Sequence, residues 1–176
     1  MNRDEVRDRL YRLEGKSAYM YQCTGGEVTV GVGHAIFSPE DAGALVWSVG
    51  TPQKAAADWA NVKAAQPDKV ASFYATFSTC RIGDDEIAKL CDSDIASYEA
   101  QLKKSLPKWD SYPELAQQAL FDMGYNLGVA GLMKFKNMLA AVDRADGEEA
   151  AKQSHRKGIQ ESRNQEIYDL FFDAWG

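Results

Sequence analysis

The fold of this chain is decided between residues 13 and 34. The sequence there reads Leu13-Glu14-Gly15 and, after five intervening residues, Tyr21-Gln22-Cys23-Thr24-Gly25-Gly26-Glu27-Val28-Thr29-Val30-Gly31-Val32-Gly33-His34. Apolar residues recur at helical spacing from residue 6 to Leu13, and Gly15 is a natural helix end. Two short β-rich runs flank Gly25-Gly26, which predicts a β-hairpin. The stretch therefore predicts one helix that delivers Glu14 to the start of a hairpin.

The rest of the chain carries helical patterns. Ser38-Pro39 and Thr51-Pro52 are typical helix starts, whereas residues 68–81 are ambiguous, with aromatic residues that would suit one face of a helix. We expect the longest helix at 84–105, a buried central helix at about 113–127, and further helices at about 132–143, 147–156 and 162–173. Ser162 and Gln165 form a capping-box pattern for the last one. The order of elements predicts an α+β fold that is mainly α.

Composition excludes several classes of function. At 176 residues the chain predicts a single domain, 1–176. The three cysteines, Cys23, Cys80 and Cys91, are an odd number without metal-ligand spacing, so we expect no disulfide framework, no metal and no cofactor. The net charge of −6 disfavours nucleic acid as a partner. No apolar run approaches the roughly 18 residues of a membrane span, and no hydrophobic signal segment follows Met1.

Glu14, Cys23 and Thr29 are the candidate catalytic residues. Cleavage of a glycosidic bond requires at least a carboxyl group that faces a nucleophilic or water-holding side chain. Each residue also has a plainer interpretation. Glu14 could be a solvated surface acid at a helix end, and Cys23 could be a small apolar residue at the turn. Thr29 could lie on a strand simply because of its β propensity.

Together these residues resemble the phage-type lysozymes, glycoside hydrolase family 24. The family pattern is Glu, eight residues, Asp or Cys, five residues, Thr, and then Gly-x-Gly-His, and this chain matches every offset. The C-terminal half resembles the family as well, at 119–128, 135–139 and 163–171. The resemblance implies that Glu14 is the general acid, that Cys23 takes the place of the second catalytic residue, and that Thr29 orients water.

Supporting residues are also expected. His34 is expected to tie the hairpin to its surroundings by a hydrogen bond and not to transfer protons. The resemblance implies that Asn126 contacts substrate and that Arg163 neutralises Glu14. Asn126 and Arg163 match the family pattern more loosely than the hairpin residues do.

The family fold is two-lobed. It implies a small lobe at about 15–83, a helical lobe from about 1–14 and 84–176, and a long helix joining them beside a cleft. The implied reaction is hydrolysis of the β-1,4 bond between N-acetylmuramic acid and N-acetylglucosamine in peptidoglycan glycan strands, with inversion through water. Attack of the Cys23 thiolate on the anomeric carbon is the alternative, so the stereochemical outcome stays open.

The chain departs from the family pattern in two respects. Cys23 stands where many members have Asp, and a neutral thiol is a poorer base than a carboxylate. About twenty additional residues lie between His34 and Asp84, in the region 51–80. They are expected either to add packing around the small lobe or to select substrate.

Other interpretations remain open. Cys23 and His34 would serve a peptidoglycan peptidase or amidase, although both lie on one hairpin. A lysozyme-like module that binds glycan without cutting it is a third hypothesis. We expect a monomer, made in the cytoplasm without a signal peptide, that acts on the cell wall in the periplasm of a host or target bacterium. It would act either as a phage endolysin or as the lytic domain of a secreted antibacterial effector, the latter with an immunity or inhibitor protein as partner.

Overall fold

The computed structural model describes residues 1–175. Its first element is α1 (Arg3–Glu14), which ends where the apolar period ends. Gly15 follows with φ of +73°, and open space surrounds the position of an added Cβ. Glycine is needed there for its backbone conformation, because other residues are strained in the left-handed region.

An antiparallel sheet follows in the order β1-β2-β3, with β1 at Ser17–Gln22, β2 at Val28–Gly31 and β3 at His34–Ile36. The predicted hairpin is present as β1 and β2, and β3 is an addition to it. Gly31 and Gly33 both have positive φ, so the chain turns back at Val32 instead of bending a single long strand. A three-residue strand is too short to give a periodic pattern in the sequence.

Two capped helices lead away from the sheet. The Ser38 hydroxyl caps α2 (Pro39–Ala44) and the Thr51 hydroxyl caps α3 (Pro52–Ala64), as their Ser-Pro and Thr-Pro starts predict. The ambiguous residues after Pro67 contain a short 3-10 helix, Ala71–Thr76, whose Tyr74 is buried.

The remaining helices occupy the C-terminal half and include the longest, α4 (Asp84–Ser105). Next is α5 (Glu114–Leu127), whose residues 116–124 are all buried, as expected for a central helix. The other elements are a 3-10 turn at Trp109–Ser111, α6 (Val129–Leu132), α7 (Lys136–Asp143), α8 (Gly147–Gln153) and α9 (Glu161–Asp173).

The capping box predicted for the last helix is wrong. Helix α9 begins at Glu161 with Gln160 at the cap position, and no side chain caps it. Ser162 therefore lies inside the first turn, and the Gln165 amide donates to Asp169 one turn later, at 2.7 Å. The helix starts two residues earlier than the Ser-x-x-Gln pattern suggests.

The α+β, mainly α fold class is confirmed. The chain divides into two compact units. The hairpin unit is Arg7–Asp94, and the helical unit contains Met1–Val6 and the chain from Ile95 onward. The division falls inside α1 and inside α4. The predicted lobes and the cleft between them stay predictions.

None of the helices within residues 1–175 combines the length and the apolar character that a membrane crossing requires.

Candidate active site

Glu14 is the last residue of α1 and is exposed. Within the hairpin unit, the Arg7 guanidinium binds both carboxylate oxygens of Asp92 on α4 at 2.8 Å. Just beyond Glu14, Lys16 lies over the Tyr11 ring and pairs with Asp84 at 3.1 Å. These contacts fix the end of α1 beside the start of α4, so the backbone at Glu14 has a defined position.

The β1–β2 hairpin gathers two of the predicted residues on one face. Tyr21 pairs with Thr29, Gln22 pairs with Val28, and the Cys23 amide donates to the Glu27 carbonyl at 3.0 Å. Side chains of directly opposed residues share a face and neighbours alternate. Cys23 and Thr29 are therefore on the same face of the hairpin.

The other face of the hairpin is anchored on α3. The Gln22 amide is buried and donates to the carbonyls of Val62, Lys63 and Ala65 at 2.5, 3.1 and 3.2 Å. This anchor binds carbonyls at and just beyond the C-terminal end of α3, where carbonyls lack partners within the helix. It also fixes which face of the hairpin presents Cys23.

Thr29 is buried, with 3% of its surface exposed. Its hydroxyl donates to the carbonyl of Tyr21, at 3.3 Å. A hydroxyl has one proton and two lone pairs. Thr29 can therefore hold a water molecule only by accepting a hydrogen bond from it.

Cys23 is half-buried, and its thiol donates to the carboxylate of Glu27 at 3.1 Å. This hydrogen bond is the largest cause that lowers the pKa of Glu27, and the Glu27 backbone amide and the charge of Lys63 also lower it. Sequence analysis missed Glu27. Its four-residue spacing from Cys23 across a Thr-Gly-Gly turn is compatible with the pairing but does not specify it.

A cavity of about 400 Å³ opens beside Cys23. One wall is the end of β1 and the start of the turn, and the other is the 68–71 segment of the additional region. The cavity is within the size range of small-ligand sites. The residues that line it are Tyr21, Gln22, Cys23, Thr24, Asp68, Lys69, Val70 and Ala71.

His34 lies at the start of β3, where it pairs with Val30. Its Nδ1 atom lies 2.9 and 3.0 Å from the two carboxylate oxygens of Asp94 on α4. Val30 neighbours Thr29 along β2, so His34 points to the opposite face of the sheet from Thr29. The contact ties β3 to the first half of α4.

Asn126 and Arg163 belong to the helical unit. Asn126 is exposed at the second-last position of α5. Arg163 binds Asp122 at 3.2 Å, and the fully buried Arg156 binds the same carboxylate at 3.0 Å. The roles that the resemblance gives Asn126 and Arg163 stay predictions. Sequence analysis did not foresee the Asp122–Arg156 pair, because both residue types are normally exposed.

No group of three or more side chains suited to hold a metal ion occurs within residues 1–175. The candidate site consists of the carboxyl of Glu14 at the end of α1, the Cys23 thiol paired with the Glu27 carboxylate, and the hydroxyl of Thr29 on β2.

Comparison with known proteins agrees with the resemblance found in the sequence. The family model described as phage lysozyme matches residues 11–166, a range that includes Glu14, the hairpin and Arg163. The chain is also similar to the pre-baseplate central spike protein Gp5 of Enterobacteria phage T4, with 28% identity over 148 residues. That match covers 82% of this chain and 23% of the much longer spike protein. The chain belongs to the phage lysozyme family.

Proposed function

We propose that the chain is a lysozyme that hydrolyses the β-1,4 bond between N-acetylmuramic acid and N-acetylglucosamine in peptidoglycan. Membership of the phage lysozyme family supports a peptidoglycan-degrading glycoside hydrolase in general. One observation carries the finer proposal. The exposed Glu14 ends α1 in the same unit whose hairpin presents Cys23 and Thr29 on one face. An acid, a base position and a group that holds water are what glycoside hydrolysis requires.

In the proposed reaction, Glu14 donates its proton to the leaving glycosidic oxygen, and water attacks the anomeric carbon. Thr29 accepts a hydrogen bond from this water, because its own proton is donated to the Tyr21 carbonyl. Attack by water in a single displacement inverts the anomeric configuration. The thiol of Cys23 donates a hydrogen bond to the carboxylate of Glu27.

A peptidase that uses Cys23 and His34 is less well supported. A nucleophilic thiol needs a base that takes its proton, and the Cys23 thiol contacts Glu27. The Nδ1 of His34 contacts Asp94, and His34 pairs with Val30 on the opposite face from Thr29. These contacts support a glycosidase over a Cys–His enzyme.

The test measures reducing sugar ends released from purified peptidoglycan. We expect the native protein to release them and Glu14→Gln to release them roughly 100-fold more slowly or not at all, because the general acid is lost. Glu40→Gln is a matched control, since Glu40 is an exposed carboxyl in the first turn of α2. This control should keep full activity.

Product analysis by mass spectrometry distinguishes the alternatives. N-acetylmuramic acid at the new reducing ends supports the proposal, and N-acetylglucosamine there contradicts the proposed bond. Released amines would indicate a peptidase, and binding without any product would indicate a non-catalytic module. Full activity in Glu14→Gln would remove Glu14 from the acid role.

The biological setting that we propose is either a phage endolysin or the lytic domain of a secreted antibacterial effector. The T4 spike protein, of which this chain matches less than a quarter, supports the use of such a module within a longer protein. Neighbouring holin genes would support the endolysin, and neighbouring secretion and immunity genes would support the effector.

A further inference from the structure

The carboxylate of Glu27 has no role in the reaction proposed above, yet it accepts a hydrogen bond from the Cys23 thiol. The turn that joins them is closed twice by the backbone. The Cys23 amide donates to the Glu27 carbonyl at 3.0 Å, and the Gly26 amide donates to the Cys23 carbonyl at 2.8 Å. Lys63 also donates to the Gly26 carbonyl at 2.7 Å. The pairing is therefore supported by the closed turn as well as by the two side chains.

Hydrolysis by water requires a base, because the attacking water must lose a proton. A free cysteine is only a few per cent thiolate at pH 7, and a thiol whose proton is directed at a carboxylate does not act as a base by itself. A carboxylate, by contrast, is almost fully ionised at that pH. The hairpin thus holds its basic group at Glu27, one hydrogen bond beyond the position of Cys23.

We propose that Cys23 and Glu27 act together as one base, in which the thiol passes a proton from the attacking water to the Glu27 carboxylate. This inference rests on the proposed function. It explains how a thiol occupies a position where the family pattern also admits Asp. Glu27 acts through Cys23 and does not touch the substrate.

The protons and bonds made and broken in this step balance. The water oxygen bonds to the anomeric carbon as the glycosidic C–O bond breaks, and Glu14 gives its proton to the leaving oxygen. The proton lost by water goes to the Cys23 sulfur while the S–H proton goes to Glu27. Cys23 ends as a neutral thiol, Glu14 ends ionised and Glu27 ends protonated. Exchange of protons with solvent restores the starting state.

Gly25 offers a way to move the Glu27 carboxylate without removing it. A Cβ added at Gly25 would collide with the Glu27 side-chain oxygen. The collision involves the end of a flexible side chain, and Gly25 does not have the left-handed backbone of its neighbour Gly26. Gly25→Ala should therefore keep the fold and displace the carboxylate from Cys23.

The decisive experiment measures sugar release by four proteins: native, Glu27→Gln, Cys23→Asp and the double variant. We expect Glu27→Gln to lower kcat by roughly 100-fold in the native background, the usual size of a general-base effect. Cys23→Asp places a carboxylate directly at position 23, so it should stay active. In the Cys23→Asp background, Glu27→Gln should lower kcat by no more than about threefold, because the new carboxylate at position 23 then does the work of the Glu27 carboxylate. Gly25→Ala should lower kcat in the same way as Glu27→Gln, but by a smaller factor.

An equal loss in both backgrounds would overturn the inference, since it would indicate a structural role for Glu27. Native-like activity of Glu27→Gln with Cys23 present would overturn it as well. The pH profile gives a separate check. The base must be ionised, so native activity should fall on the acid side at a pH below the ordinary titration range of Glu, and this limb should disappear in Glu27→Gln.

A readout without substrate separates this inference from the proposed function. In an NMR titration, the Glu27 carboxyl should have a lower pKa in the native protein than in Cys23→Ala, because the variant lacks the thiol donor. An unchanged pKa would remove the pairing while leaving the Glu14 assignment intact. If Glu14→Gln were fully active, the proposed function and this inference would fail together.

Discussion

The three cysteines differ in their chemical accessibility. Cys80 and Cys91 are buried, and burial raises the pKa of both thiols, that of Cys91 to about 11. Cys23 is half-buried at the edge of a cavity. Since the thiolate is the reactive form and needs access to reagent, Cys23 is the position at which modification should begin.

We therefore predict that iodoacetamide labels Cys23 in the folded protein well before it labels the other two cysteines. Peptide mass spectrometry after limited alkylation measures the order. Labelling should also abolish sugar release, because the alkyl group replaces the thiol proton and fills space on the hairpin face. Cys23→Ser is the control and should resist early labelling. Early labelling of Cys80 or Cys91 would contradict the burial of these thiols.

Asp58 joins α3 to the segment that follows the 3-10 helix. Its buried carboxylate accepts hydrogen bonds from the backbone amides of Thr79 and Cys80 at 2.6 and 2.8 Å, and from Lys54 at 2.6 Å. The Thr79 hydroxyl adds a fourth donor at 3.1 Å. Asp58 thus holds the end of the additional region against α3.

We predict that Asp58→Asn destabilises the protein by about 2–3 kcal/mol. The amide NH₂ group of Asn is a donor and cannot accept the hydrogen bonds that the second carboxylate oxygen of Asp58 accepts.

Burial by itself raises the pKa of Asp58, but the hydrogen bonds from Lys54, Cys80 and Thr79 outweigh this effect and lower the pKa. A lowered pKa stabilises the folded state above the unfolded value of about 3.9. This contribution is lost as pH falls through the folded value.

Urea unfolding between pH 7 and pH 3 tests both statements. The free energy of unfolding of the native protein should fall in the acid range. That of Asp58→Asn should be lower at pH 7 and should fall less as the pH decreases. Asp68→Asn, at an exposed carboxylate in the same additional region, is the matched control and should follow the native curve. Identical pH dependence of the native protein and Asp58→Asn would contradict the role of Asp58.

The elements also show what the sequence could predict. The caps Ser38 and Thr51 and the long apolar period of α4 are local signals, so these helices appear where they are expected. The third strand and the cap of α9 depend on contacts beyond the local pattern. The pairing of Cys23 with Glu27 depends on turn geometry, which spacing alone does not specify. The hairpin could therefore be predicted, but the second carboxylate beside it could not.

The net charge of −6 affects how the protein encounters its proposed substrate. An acidic protein has no general electrostatic attraction to an anionic cell wall, and like charges slow their encounter. Salt screens this repulsion, with a Debye length of about 8 Å at physiological ionic strength. A basic wall-degrading protein would show the opposite dependence, because salt would weaken its attraction to the wall.

We accordingly predict that sugar release from intact anionic walls rises as salt increases from about 10 mM to about 150 mM, the range over which the Debye length falls from about 30 Å to about 8 Å. Turnover of short, soluble glycan fragments, which carry only the few lactyl carboxylates of their N-acetylmuramic acid residues, should change much less over the same range. These fragments are the control, because they report catalysis with little long-range repulsion. A rate on walls that falls steadily with salt would show that a local basic surface, rather than the net charge, governs the encounter. A parallel rise on both substrates would place the salt effect on the catalytic groups themselves.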